Sequence, residues 1–249
     1  MPGQVTIAGG AFVGKLIGVG VGPGDPELMT LKAIRLIKEC DCIIIPASEK
    51  EKCIAYRIAE QAIPEIAEKE IYAFDFPMIS DKNRMLEEID VISEKIINIL
   101  KKKKNAVFLT LGDATIYSTF MYVLENVKAA GIETEIVSGI TSFCAAAARI
   151  QIAIGSGNSE IHIISGNDDI EHTSKYRGTR VYMKSGRQLG RLKEYLVEES
   201  KKKPLQIYTI NNCGMESEEV TYGAEQINAD AGYFTIVIVK EANQPAASS

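Results

Sequence analysis

Hydrophobic and polar positions change their period at short intervals along the chain. In Lys15–Gly20 apolar residues run together up to a glycine, which predicts a buried strand. Thr30–Glu39 instead sets Leu31, Ile34 and Ile37 three residues apart, one face of a helix with Thr30 placed to cap it. Cys42–Ile45 reads as a second buried strand, closed by Pro46. From Met85 to Lys103 the helical period returns, with Leu86, Ile89, Ile92, Ile96 and Leu100 on one face. Ala106–Thr110 then predicts a strand, Ile116–Ala130 a helix, Ile132–Val137 a strand and Thr141–Arg149 a helix. The alanines of Ala145–Ala148 are small enough to let that last helix lie close on a sheet. Strands alternating with helices predict an α/β domain with a parallel sheet.

The texture shifts at IGSGN, Ile154–Asn158, which reads as a linker. Beyond it Glu160–Ser165, Thr179–Met183, Leu205–Ile210 and Phe234–Val239 predict strands, with one clear helix at Gln188–Lys201. Two α/β domains are expected, residues 15–155 and 159–240, followed by a fraying tail, ANQPAASS.

Charge and composition narrow the function classes. The net charge of −5, from 28 basic and 33 acidic residues, argues against a broad nucleic-acid surface. No apolar run approaches the ~20 residues that span a bilayer, and MPGQVTIAGGAFVGK lacks the apolar core of a signal peptide. No membrane partner is expected. Lys101–Lys104 and Lys201–Lys203 fall at predicted helix ends, where cations complement the dipole, and read as solvated helix termini. Cys40, Cys42, Cys53, Cys144 and Cys213 show no paired spacing, and His162 and His172 are the only histidines. No protein-built metal site is expected, and free thiols suit the reducing cytoplasm. His162 alternates with isoleucines in Glu160–Ile164 and reads as a half-buried structural residue, Cys144 as a small apolar filler.

The candidate chemistry lies in three glycine turns, each following a strand. The first, GVGVGPGD with Gly18, Gly20, Gly22, Pro23, Gly24 and Asp25, resembles a dinucleotide turn. Pro23 stands where the third fingerprint glycine belongs, however, and no acidic residue ends the second strand. No Gly-Lys-Ser/Thr follows, so the turn is no P-loop either. The second turn is Thr110-Leu111-Gly112-Asp113 and the third Ser138-Gly139-Ile140-Thr141-Ser142. Ligands of open α/β sheets sit beyond the carboxyl ends of the strands, and glycine leaves the backbone approachable there. Three such turns can present backbone groups to one adenosine-sized ligand.

The segments GVGPGDPELMTLKAIRLI, FLTLGDATIYSTFMYVL and VSGITSFCAAAARI resemble the signature segments of the tetrapyrrole methylases. Tyr117-Ser118-Thr119-Phe120, Phe76-Pro77-Met78 and Tyr182-Met183-Lys184 are most similar to the branch that methylates C-20 in cobalamin synthesis. The resemblance spans about Lys15 to Lys240. It implies a two-domain fold, with a mostly parallel amino-terminal sheet flanked by helices and a mixed-sheet carboxy-terminal domain. It also implies S-adenosylmethionine, bound folded in the cleft between the domains, a homodimer, and a tetrapyrrole substrate. Transferred by position, the cofactor residues are Pro23, Leu111, Gly112, Asp113, Ile116, Ser118, Thr141, Ser142, Met183, Cys213 and Thr235. Tyr117, Lys184 and Arg187 are candidate substrate contacts, with Arg35 and Arg149 weaker ones for the substrate carboxylates. Ala114 and Ser138 stand where the family has proline, which predicts looser turns and the same chemistry.

The implied reaction is methyl transfer to C-20 of precorrin-2 or cobalt-factor II. It asks the protein for in-line placement and exclusion of water, then for an acceptor of the proton lost from carbon. Asp113 and Tyr117 are candidates by location, although a turn aspartate also suits a bracing role. The alternatives are methylation at C-11 or C-17, a catalytically silent S-adenosylmethionine-binding regulator, or a nucleotide-binding oxidoreductase.

Overall fold

The computed structural model describes residues 14–76, 81–102, 104–166 and 169–241. The amino-terminal lead-in, Pro77, Met78, Lys103 and the tail from residue 242 lie outside the described residues. Packing divides the chain into two units: residues 1–22 with 26–140, and residues 23–25 with 141–249. The helix that begins after Thr141 therefore packs with the second unit, together with the three residues Pro23–Asp25.

The first unit is built from strands β1 (Leu16–Gly20), β2 (Cys42–Ile45), β3 (Glu70–Ala73), β4 (Ala106–Thr110) and β5 (Thr134–Val137). Its helices are α1 (Leu31–Glu39), α2 (Ile54–Ala62), α3 (Lys82–Leu100) and α4 (Phe120–Ala129). The strands form one parallel sheet in the order β3-β2-β4-β1-β5. Buried strands of an all-parallel sheet face apolar layers on both sides. Ile17, Val19, Ile43, Ile45, Val107 and Leu109 face one core with Ala33 and Ile37 of α1 and Ile58 of α2. Leu16, Ile44 and Phe108 face the other, with Ile89, Ile92 and Ile96 of α3 and Phe120 and Val123 of α4.

Thr30 caps α1 as expected, its Oγ1 accepting from Ala33 N at 3.2 Å. Leu31, assigned to the apolar face, is instead 86% exposed, because the buried stripe of α1 runs through Ala33 and Ile37 and leaves Leu31 on the outer face with Arg35 and Lys38. Asp81 caps α3 by accepting from Asn83 N and Arg84 N, which starts that helix before Met85. The sequence pattern left α2 and β3 unassigned; α2 interrupts its apolar run with Arg57, Glu60 and Gln61, and β3 is a short edge strand with exposed ends.

In the second unit, β6 (Ile161–Ser165), β7 (Thr179–Met183), β8 (Leu205–Asn211), β9 (Glu219–Tyr222) and β10 (Thr235–Glu241) form a sheet ordered β6-β7-β10-β8-β9. The β6–β7 pair is parallel and the rest antiparallel, so the sheet is mixed. Its helices are α5 (Ser142–Arg149), the short α6 (Ile170–Thr173) and α7 (Leu189–Ser200). Leu189, Leu192 and Leu196 of α7 close a core over Ile164, Tyr182, Ile207, Val237 and Val239, while α5 packs along β10. Ala145, Ala146 and Ala147 are buried, but Cys144 is exposed and fills no core position. Half-buried His162 stacks on Tyr176 with ring centroids 4.5 Å apart, a structural role.

Candidate functional site

Three adjacent strands of the first sheet, β4, β1 and β5, end in the three glycine turns. Pairing continues past the strand ends: Val21 N donates to Thr110 O (3.0 Å), Gly112 N to Gly22 O (2.8 Å) and Gly22 N to Gly112 O (3.2 Å). A Cβ on Gly20 would come within 2.5 Å of Gly112 O and 2.7 Å of Gly139 N, and one on Gly139 would overlap Gly112 O. These turn glycines therefore serve the contact of the three turns with one another.

Asp113 binds the cluster together. Its Oδ1 accepts from Thr115 N (2.8 Å) and Thr115 Oγ1 (2.5 Å), and its Oδ2 from Gly139 N (2.9 Å). With both oxygens engaged and the residue buried, the carboxylate is a brace, the second of the two roles read for it. Past it, Tyr117 adopts φ +49°, a left-handed conformation rare outside glycine and asparagine. The reversal there delays α4 until Phe120, where Ser118 Oγ accepts from Phe120 N at 3.2 Å. The same hydroxyl lies 2.9 Å from Thr110 Oγ1, tying the loop back to its strand. Leu111, Gly112, Asp113, Ile116, Tyr117 and Ser118 thus share one braced loop. Thr110 and Gly139 complete it; a threonine ending a strand ahead of Gly-Asp was the available signal for the first.

The remaining candidates belong to the second unit. Because β10 runs antiparallel to β7 and β8, Met183 at the end of β7, Cys213 just beyond β8 and Thr235 at the start of β10 gather at one end of the sheet. Thr235 pairs with Asn211, and its Oγ1 donates to Gly232 O at 2.9 Å. Lys184 is left-handed (φ +55°), with its ammonium 5.5 Å from the centre of the Tyr233 ring. Arg187 is exposed on the turn Gly186–Gln188. Thr141 and Ser142 start α5; Thr141 caps nothing, and its buried Oγ1 has no hydrogen-bond partner. Pro23 belongs to the three-residue segment whose Gly24 abuts the backbone of Cys213 and Gly214.

Two of the weaker cation candidates are engaged elsewhere. Arg35 pairs with Glu39 at 2.8 Å along α1, and Arg149 pairs with Glu218. Burial pushes the Cys213 thiol up to about 11, with the Glu218 charge adding to it. Among the described residues no group of His, Cys, Asp and Glu could hold a metal ion, and no helix is long and apolar enough to cross a membrane.

The family model for tetrapyrrole (corrin/porphyrin) methylases matches residues 15–226. The chain belongs to the tetrapyrrole methylase family. It is 35% identical over 233 residues to a probable cobalt-precorrin-2 C(20)-methyltransferase of Methanocaldococcus jannaschii, covering 92% of this methylase and 97% of that protein. It is also 25% identical to a precorrin-2 C(20)-methyltransferase of a Sinorhizobium species, across 92% and 96% of the two chains. The solved structure of a cobalt-precorrin-4 methyltransferase superposes with a TM-score of 0.70 at 18% identity, covering 91% of this methylase and 94% of that chain. The two-domain fold is the one the family resemblance implied.

Proposed function

We propose that this methylase transfers a methyl group from S-adenosylmethionine to C-20 of precorrin-2 or its cobalt-bearing counterpart in cobalamin biosynthesis. The observation that carries the reading is the 35% identity to the probable cobalt-precorrin-2 C(20)-methyltransferase over nearly the whole of both chains, which favours the cobalt-bearing substrate. The donor supplies an already activated methyl on a sulfonium, so no protein nucleophile is needed. Thr141 supports a bound polar ligand: a buried hydroxyl without a partner costs free energy unless something fills its hydrogen bond. The braced loop 110–118 offers a fixed wall, since Asp113 and the Thr110–Ser118 contact hold its shape before any ligand arrives. Tyr117 is 43% exposed at the loop's reversal, and with the Asp113 oxygens engaged in bracing, proton acceptance falls to that phenol or to water. Lys184 and Arg187 supply cations for the acidic side chains of a tetrapyrrole. Free thiols at all five cysteines support a cytoplasmic setting, and the family resemblance a homodimer.

The test incubates the protein with methyl-labelled S-adenosylmethionine and either precorrin-2 or its cobalt complex, and locates the new methyl by NMR. Label at C-20, with faster turnover of the cobalt form, is the expected result. Label at C-11 or C-17 overturns the position, and cofactor binding without turnover of either substrate identifies a silent regulator.

A further inference from the structure

The turn that joins β8 to β9 holds an unusual backbone. Asn212 (φ +50°) and Gly214 (φ +77°) are both left-handed, on either side of Cys213. Left-handed residues other than glycine persist where surrounding contacts over-determine them. Here Asn212 N donates to Phe234 O (3.0 Å), and Met215 N and Glu218 N close successive turns onto Asn212 O (2.9 Å) and Met215 O (3.0 Å). The side chain that finishes the brace is Glu218, largely buried and 69 residues from its partner Arg149. One carboxylate oxygen receives the Arg149 Nε–H, and the other accepts from Gly214 N at 2.8 Å. Across the turn, a Cβ on Gly24 would overlap Cys213 O, and one on Gly214 would come within 2.7 Å of Asp25 N. The Gly-Pro-Gly-Asp segment and Cys213-Gly214 thus lie backbone to backbone.

We propose that Glu218, anchored by Arg149, is a positioning residue that fixes Cys213 and Gly214 against Gly24 and Asp25 and so sets the shape of this part of the cofactor site. Its part in cofactor binding rests on the methyltransferase reading above. The charge state agrees with the geometry: burial works against ionisation, but the hydrogen bonds from Arg149 and Gly214 outweigh it and hold the Glu218 carboxyl below the usual carboxylate range. No local pattern in the sequence marks Glu218, because both the arginine and the Gly24 segment it serves are remote in the chain.

The test compares Glu218→Ala, Glu218→Gln and Arg149→Met with the wild type by two readouts. Calorimetry and kinetics give the S-adenosylhomocysteine Kd with kcat and KM; mass spectrometry gives the alkylation rate of Cys213, with exposed Cys144 as internal control. Losing a charge-assisted hydrogen bond predicts a Kd and KM about tenfold higher in Glu218→Ala, with kcat at saturation within about twofold. Glu218→Gln keeps an acceptor for Gly214 N–H, so it and Arg149→Met are expected to weaken binding only about threefold; these two decide the matter if the alanine variant does not fold. Because the Glu218 charge itself raises the Cys213 thiol pKa and Arg149 lowers it, the rates are compared per thiolate from a pH profile of each variant. So corrected, Cys213 alkylation rises in each variant while Cys144 stays constant. An unchanged Kd, a fall in kcat alone, or an unchanged Cys213 rate overturns the proposal. If the wild type takes up no S-adenosylhomocysteine, the methyltransferase reading falls instead, and the alkylation rates still decide whether Glu218 holds the turn.

Discussion

In the first unit all five strands run the same way, and the braced 110–118 loop grows from the carboxyl end of β4 beside those of its neighbours. In the second, strand direction alternates from β7 onward, so one end of the sheet mixes the carboxyl ends of β7 and β8 with the amino end of β10. The difference decides where polar groups are buried. The first sheet confines its buried carboxylate, Asp113, to the turn beyond the strands and keeps its inner strands β1, β2 and β4 free of charge up to Thr110. The second carries charge into its centre: Arg180 on β7 is fully buried and forms paired 3.0 Å contacts with Glu199 of α7, and Lys203 reaches the same carboxylate. One unit is a hydrophobic sheet with a polar rim, the other a sheet clamped by a buried ion pair.

The sharpest way to break that contrast is to remove half of the pair. Glu199→Ala leaves the Arg180 guanidinium buried without its counter-charge, a loss expected to cost about 4 kcal/mol in urea unfolding of the second unit. Replacing both partners by apolar residues, Arg180→Met with Glu199→Leu, should recover most of it, because matched hydrophobic substitution of a buried pair is often neutral. If the single variant costs no more than an exposed salt bridge, the second core does not depend on charge.

A smaller loss, about 3 kcal/mol, is expected from Gly139→Ala, whose methyl must displace the Gly112 carbonyl and with it the Asp113 brace. The control lies in the other unit: a Cβ on Gly232 meets nothing within 4 Å, so Gly232→Ala should shift the urea midpoint by under about 0.5 kcal/mol. Equal tolerance at both positions would show that the glycine turns are not packed against one another.

The same asymmetry explains what could be read from the residues alone. Parallel strands ending in glycine turns leave contiguous signatures, so β1, β2, β4 and the turn at Leu111–Asp113 were legible, although the helix expected from Ile116 starts only at Phe120. The second sheet builds its end from single residues scattered between Met183 and Thr235, and β9, with its half-exposed pattern, left no periodic trace. Arg149 looked like a free cation because its partner, Glu218, is carried on a distant hairpin turn. Sequence alone also did not show that the glycine turns approach one another, a contact that only the register reveals, with Gly22 and Gly112 bridged across the sheet.

The smallest expected effect concerns the sheet edges. Both edges of the first sheet are guarded by charge: Lys15 and Lys32 meet Glu135 at 2.6 Å on β5, and Lys104 pairs with Glu70 on β3. The second sheet exposes Ile161 and Ile163 on its β6 edge. Hydrogen bonds from Lys15 and then Lys32 hold the Glu135 carboxyl below the usual carboxylate range. A lowered folded-state value means that the stabilisation is present at neutral pH, where the group is ionised in both states. It is lost as pH falls through the folded-state value, because the unfolded chain then binds the proton first. The pair is partly exposed, so the contribution should stay at or below about 1 kcal/mol and shrink in high salt. Thermal melts of wild type and Glu135→Gln should differ at pH 7, converge toward pH 3, and differ less at pH 7 in molar salt. A difference that persists unchanged at pH 3 would mean that the glutamate guards the edge by its packing and not by its charge.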